Sequence, residues 1–172
     1  MKQNYKKGFT TTELLIVIGV IVILSALAIF SLTRAQRAAR DTQVFQDMKT
    51  IETALEFYYT ENGAYPTIPE GSVWNNSDQA GIAKELSPFL EKLPESPQAE
   101  IGHVYTYAVT TNGEKYILRA DVEDKNHNAF TNDVDGVLGG EGWNSIDSKN
   151  TLSTNASINC DDASKGYCIA TE

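Results

Sequence analysis

Between Asp121 and Gly136 the sequence DVEDKNHNAFTNDVDG gathers side-chain oxygens from Asp121, Asp124, Asn126, Asn128, Asn132, Asp133 and Asp135. Calcium takes roughly six to eight such oxygens at about 2.3–2.6 Å, and closely spaced Asp and Asn on a flexible segment supply them together with backbone carbonyls. Asp124, Asn126 and Asn128 have the alternate spacing that opens an EF-hand loop. The match then fails, because Ala129 stands where the turn glycine belongs and Asp135 where the bidentate Glu belongs. Asp124, Asn126, Asn128, Asp133 and Asp135 are the candidate ligands of a calcium loop of another type. A solvated turn stands beside that reading, since Asn, Asp and Gly are what turns use.

Two further residue types bear on chemistry. Cys160 and Cys168 close the short stretch NCDDASKGYC. Their even count and spacing, with an export-type N-terminus, point to a disulfide in an oxidising compartment, the alternative being two surface thiols. A loop this short is worth about 2.5 kcal/mol in the chain-entropy model. His103 and His127 are the only histidines. With the cysteines paired there is no Cys-His nucleophile, and no glycine-rich phosphate loop or zinc-spaced ligand set occurs, so an enzyme is not expected.

The 172 residues carry a net charge of -9, and three of the 14 basic residues (Lys2, Lys6 and Lys7) precede Gly8. Beyond Gly8, 11 basic residues remain against 23 acidic ones, a net -12. Such an acidic body repels phosphate backbones, so general nucleic-acid binding is not expected. It suits calcium or basic partners.

The N-terminal stretch KKGFTTTELL places Glu13 against nineteen uncharged, mainly apolar residues, Leu14 to Leu32. At ~1.5 Å per residue these cross a hydrocarbon core of ~30 Å. A carboxylate at the edge of such a segment needs a compensating charge. Three readings are open. A signal peptide would be cleaved after Ala28, within the small-x-small pattern Ala26-Leu27-Ala28, and release a soluble chain starting near Ile29. A plain anchor would hold an extracytoplasmic binding module. Charge flanking alone does not orient it, because Arg34, Arg37 and Arg40 follow the segment; the disulfide places the C-terminal part outside the cytoplasm.

In the third reading, the basic leader, Gly8, Phe9, the hydroxyl residue after it, Glu13 as fifth residue after the glycine and the apolar run resemble the class III leader of type IV pilins and type II secretion pseudopilins. The resemblance implies cleavage between Gly8 and Phe9 by a prepilin peptidase on the cytoplasmic side, and methylation of the new Phe9 amine. It implies that Glu13 neutralises that amine in the same or a neighbouring subunit. It also implies a helical filament of identical subunits, drawn from membrane lipid by an assembly platform and a cytoplasmic ATPase. The protein would then be a single-pass membrane protein with an extracytoplasmic head, and later part of a surface or periplasm-spanning filament. Major pseudopilins carry calcium in loops that follow their sheet, which maps onto the acidic loop by region only. Thr11 and Thr12 occupy positions that are usually apolar, and Phe30 replaces a common kinking proline, which leaves Gly19 as the candidate for bending.

Apolar Val44, Met48, Ile51, Leu55 and Tyr58 recur at helical spacing. One helix is therefore expected from about Phe9 to Tyr59, half in the membrane and half on a head, with Glu61-Asn62-Gly63 and Pro66 as its stop. Arg34, Arg37 and Arg40 are expected as headgroup-level cations. The run ENGAYPT, Glu61 to Thr67, is similar to the same junction in major pseudopilins. Residues 68–97 are expected to form a loop with one short helix, Gln79 to Leu90, and Trp74 to be a packed aromatic. VYTYAVT and EKYILRAD around Asn112-Gly113 predict an antiparallel hairpin, completed by one further strand after Gly136. The fold class is α+β and pilin-like, a long helix packed on a small antiparallel sheet. Its segments are a leader over 1–8, a membrane and filament-core helix over 9–33, and a head over 34–172.

Overall fold

The computed structural model describes residues 8–69, 72–74, 81–124, 126–131, 133–161 and 165–171. The chain divides into two compact units, Met1–Ala38 and Ala39–Glu172. Helix α1 runs over Thr11–Asn62 and is unbroken at Gly19 and at position 30. It stops where the sequence supplies a stop: Gly63 turns left-handed (φ 72°) and its N–H donates to the Tyr59 carbonyl at 2.8 Å. Asn62 Nδ2 covers the Tyr58 carbonyl at 2.9 Å.

In the second unit, the predicted stripe is the packing face of α1. Val44, Met48, Ile51 and Leu55 are buried, and Tyr58 is half-buried. They lie with Tyr105, Tyr107, Val109, Tyr116, Leu118, Ala120 and Ile146 in one core. These residues come from strands β1 (Tyr105–Thr110), β2 (Tyr116–Asp121) and β4 (Trp143–Asp147). Each fully buried aliphatic here contributes about 1.5–3 kcal/mol.

The sheet is larger than the hairpin and single strand expected. It also contains β5 (Leu152–Thr154) and β7 (Gly166–Ala170), in the antiparallel order β5-β4-β1-β2-β7. A second, two-stranded sheet pairs β3 (Val137–Gly139) with β6 (Ser157–Asn159). Ala156, Ile158 and the Cys160–Cys168 disulfide pack on Ala108 and Ile117, so both faces of the hairpin bear apolar residues. The hairpin register pairs Tyr107 with Leu118. Its turn needs Gly113, with φ 71°, because a β-carbon there would lie 2.8 Å from the Tyr65 carbonyl oxygen.

The short helix is reduced to α2, Ile82–Leu86. Ser87–Phe89 form a turn around Pro88, whose missing N–H cannot continue the helix, and positions 79 and 80 lie outside the described residues. Trp74 is fully buried in the core and donates its indole N–H to the Pro94 carbonyl at 3.0 Å. That pins the proline-rich loop to the head.

Candidate functional site

Helix α1 begins with a reciprocal cap. Thr10 N–H and Thr10 Oγ1 both donate to Glu13 Oε2, at 2.8 and 2.7 Å, and Glu13 N–H donates to Thr10 Oγ1 at 3.2 Å. This is the T-x-x-E capping box, which satisfies orphan N–H groups of the first turn. It places the carboxylate four residues from Phe9, whose side chain is 89 % exposed. Gly8 is the first described residue, and positions 1–7 of the expected leader lie outside the described set. Sequence reasoning gave Glu13 a role in charge pairing and missed Thr10 as its local partner, although the T-x-x-E spacing signals it.

Beyond the cap, the described residues of the first unit show no buried apolar face. Leu14, Ile18, Ile21, Leu24 and Leu27 are all more than half exposed. This is the one helix among the described residues long and apolar enough to cross a membrane. A stem apolar on all sides has its favourable surroundings in lipid or in other apolar helices.

At the start of the head, α1 is tied to the acidic loop. Buried Asp41 accepts the backbone N–H of Glu123 at 2.8 Å and of Asp124 at 3.0 Å. Arg40 Nε donates to Glu123 Oε1 at 2.6 Å, and Gln98 Nε2 donates to the same oxygen at 2.6 Å. Arg40, expected as a headgroup-level cation, is bonded to a carboxylate of the head. Its partner lies 83 positions away, beyond the reach of local patterning.

The candidate calcium ligands are spread through this loop. Asp124 Oδ1 accepts the Asn126 N–H at 3.0 Å, an Asx turn. Asn128 opens a 3-10 turn, Asn128–Thr131. Asp133 Oδ2 accepts the Cys168 N–H at 3.4 Å, while Asp135 is exposed. Asn132 is outside the described residues. Among the described residues, no three Asp, Glu, His or Cys side chains gather to hold a metal ion. Nearby, His127 stacks on Phe45 with centroids 4.4 Å apart and accepts the Ala129 N–H through Nδ1 at 3.1 Å. Cys160 and Cys168 form the disulfide, with both residues fully buried.

The family model described as type II secretion system (T2SS), protein G matches residues 31–146. The chain belongs to this protein G family. The match runs through most of β4, so β5, β6, β7 and the disulfide lie beyond it. Similar proteins carry the same name. Type II secretion system core protein G of Vibrio cholerae is 26% identical over 82% of this chain and 89% of its own length. That of Klebsiella pneumoniae is 32% identical over 77% of this chain and 87% of its own length. The type IV major pilin protein PilE1 of Neisseria gonorrhoeae is 26% identical over 98% of this chain and 94% of its own length. No solved structure gives a significant match. Protein G and pilin relatives make this chain a pilin-like structural subunit, built of an apolar N-terminal helix and an α+β head.

Proposed function

We propose that the protein is a filament subunit that waits in the membrane by its apolar stem and polymerises after a prepilin peptidase cuts between Gly8 and Phe9. The observation that carries this reading is the stem itself: within the first unit, Met1–Ala38, the described apolar side chains from Leu14 to Leu32 are exposed. A cleaved signal sequence would discard that surface. A filament core of packed sister helices uses it.

Cleavage would create an amine at Phe9, close in sequence to the Glu13 carboxylate that Thr10 already orients. N-methylation keeps that amine basic. Glu13 then supplies the opposite charge, in the same subunit or a neighbour, and an unpaired charge among apolar helices is costly. Transfer of an apolar helix from lipid to an apolar core has little hydrophobic driving force, so packing and this pairing give assembly its direction. An assembly platform and a cytoplasmic ATPase supply the work, and the head with its disulfide lies outside the cytoplasm. Leader 1–8, stem 9–33 and head 34–172 are the corresponding segments.

Fractionation of cells that carry the assembly genes tests this. The chain is expected in the inner membrane and in sheared filaments, and Glu13→Ala is expected in the membrane alone. Recovery of wild-type chain only as soluble monomer would overturn the reading.

A further inference from the structure

The larger sheet of the head has two edges, β7 and β5, and they are finished differently. At β7 the neighbouring loop closes the edge: Val134 N–H donates to the Cys168 carbonyl at 3.3 Å, and Cys168 N–H to Asp133 Oδ2 at 3.4 Å. At β5, Leu152, Ser153 and Thr154 are all exposed. Asp147 N–H donates to the Thr151 carbonyl at 3.1 Å, and Ser145 stands opposite Ser153. Antiparallel alternation therefore turns the N–H and carbonyl of Ser153 inward to β4, and those of Leu152 and Thr154 outward. β5 carries no charged residue and no proline, two of the devices that blunt a free edge.

Each face of β5 opens on its own cavity. On the α1 side, where Leu152 stands opposite the core residue Ile146, a space of about 560 Å³ is bounded by Ile68, Pro69 and Leu152. On the other side, a space of about 420 Å³ is bounded by Thr106, Ser145, Asp147, Ser153 and Ser157. The first offers three aliphatic side chains, and the second hydroxyls and one carboxylate. Ser145 is only 6 % exposed, yet among the described residues its hydroxyl makes no hydrogen bond. Asp147 Oδ1 accepts the N–H groups of Lys149 and Thr151 at 2.9 and 2.8 Å, which fixes the carboxylate in place. Among the described residues, no Lys, Arg or His lines either cavity.

A strand laid beside β5 places alternate side chains on opposite faces, and so in opposite cavities. The aliphatic cavity takes apolar side chains, and the Asp147 cavity takes a cation with hydrogen-bond donors. The sequence that fits is apolar, basic, apolar. In this chain that triplet occurs once, as Leu118-Arg119-Ala120, and there it lies in β2 with β1 paired on one side and β7 on the other. A second folded copy has no such segment to lend.

We propose that β5 is a docking edge for an extended segment of a different protein, with Lys or Arg against Asp147 and apolar neighbours against Ile68 and Leu152. Main-chain bonds to Leu152 and Thr154 give such strand addition its affinity, and the two cavities give it specificity. The inference goes beyond the filament reading and does not depend on it.

The probe is a short blocked peptide of alternating valine and lysine, added to the detergent-solubilised full chain. It is expected to bind saturably and to slow amide exchange at Leu152 and Thr154 while leaving β7 unchanged. Asp147→Asn, which keeps the Oδ1 acceptor, is expected to weaken binding several-fold. Peptides with glutamate in place of lysine, or with N-methylated backbone, are expected not to bind. No saturable slowing at Leu152 and Thr154, equal binding of either control peptide, or full affinity in Asp147→Asn overturns the proposal. Slowing at these amides that rises with protein concentration in the absence of peptide assigns the edge to a second copy and overturns it as well. All of these outcomes leave the processing at Gly8-Phe9 untouched.

Discussion

Asp41 on α1 accepts the backbone N–H of Glu123 at 2.8 Å, and its other oxygen takes the N–H of Asp124. A single buried carboxylate thus fastens the acidic loop to the helix that leads out of the stem. Removing it would leave two part-buried N–H donors without that acceptor. Asp41→Ala is expected to cost about 2–4 kcal/mol of head stability. Urea denaturation of the detergent-solubilised chain measures this, and faster amide exchange at Glu123 and Asp124 should accompany it. A loss under about 0.5 kcal/mol, the range of ordinary surface changes, would refute the fastening.

Much of this head is legible in its sequence. The Val44 to Leu55 stripe gives the packed face of α1, and Asn112-Gly113 between two alternating runs gives the β1–β2 hairpin. Beyond the one strand expected after Gly136, the others are not legible: β3, β5 and β6 are only three residues long, too short for a period-2 alternation to show. Tertiary pairing makes them strands, overriding weak local preference. Asp41 was hidden for a related reason: a lone Asp on a helix shows nothing of acceptors needed 82 positions later.

Tyr105, Tyr107 and Tyr116 supply an alkaline limit. Burial above all pushes each phenol upward from its ordinary value, aided for Tyr105 by the Asp47 carboxylate and for Tyr107 and Tyr116 by neighbouring charge. The folded values lie above the unfolded value of about 10, so the native state holds protons that the unfolded chain has released. Stability is intact below about pH 10 and falls as pH rises towards the folded values. Phenolate absorbance for these three should appear together with loss of near-ultraviolet dichroism. Reversible ionisation near pH 10 with dichroism retained would count against their packing.

The Cys160–Cys168 bridge joins the end of β6 to β7 and sits in the cluster between the two sheets. Replacing both cysteines by Ser removes a short covalent loop, expected to cost about 2–3 kcal/mol. The denaturation midpoint should fall while the α1 core persists. An unchanged midpoint would show that the strand pairing alone holds this end of the head.

In the acidic loop Asp124 and Asp133 already accept backbone N–H groups, and Asp41 holds its start. Equal melting temperatures of the full chain in calcium and in chelator are the outcome that a plain turn-rich loop predicts. A rise with calcium that saturates would place the ion in this loop, through mass action on the folded state.

The central claim is that the stem is kept and the chain is cut at Gly8-Phe9. Intact mass and N-terminal sequence of protein from native membrane or sheared filaments test it most directly. The account predicts a chain starting at Phe9 with one added methyl group. A chain starting at Met1, or near Ile29, would contradict it.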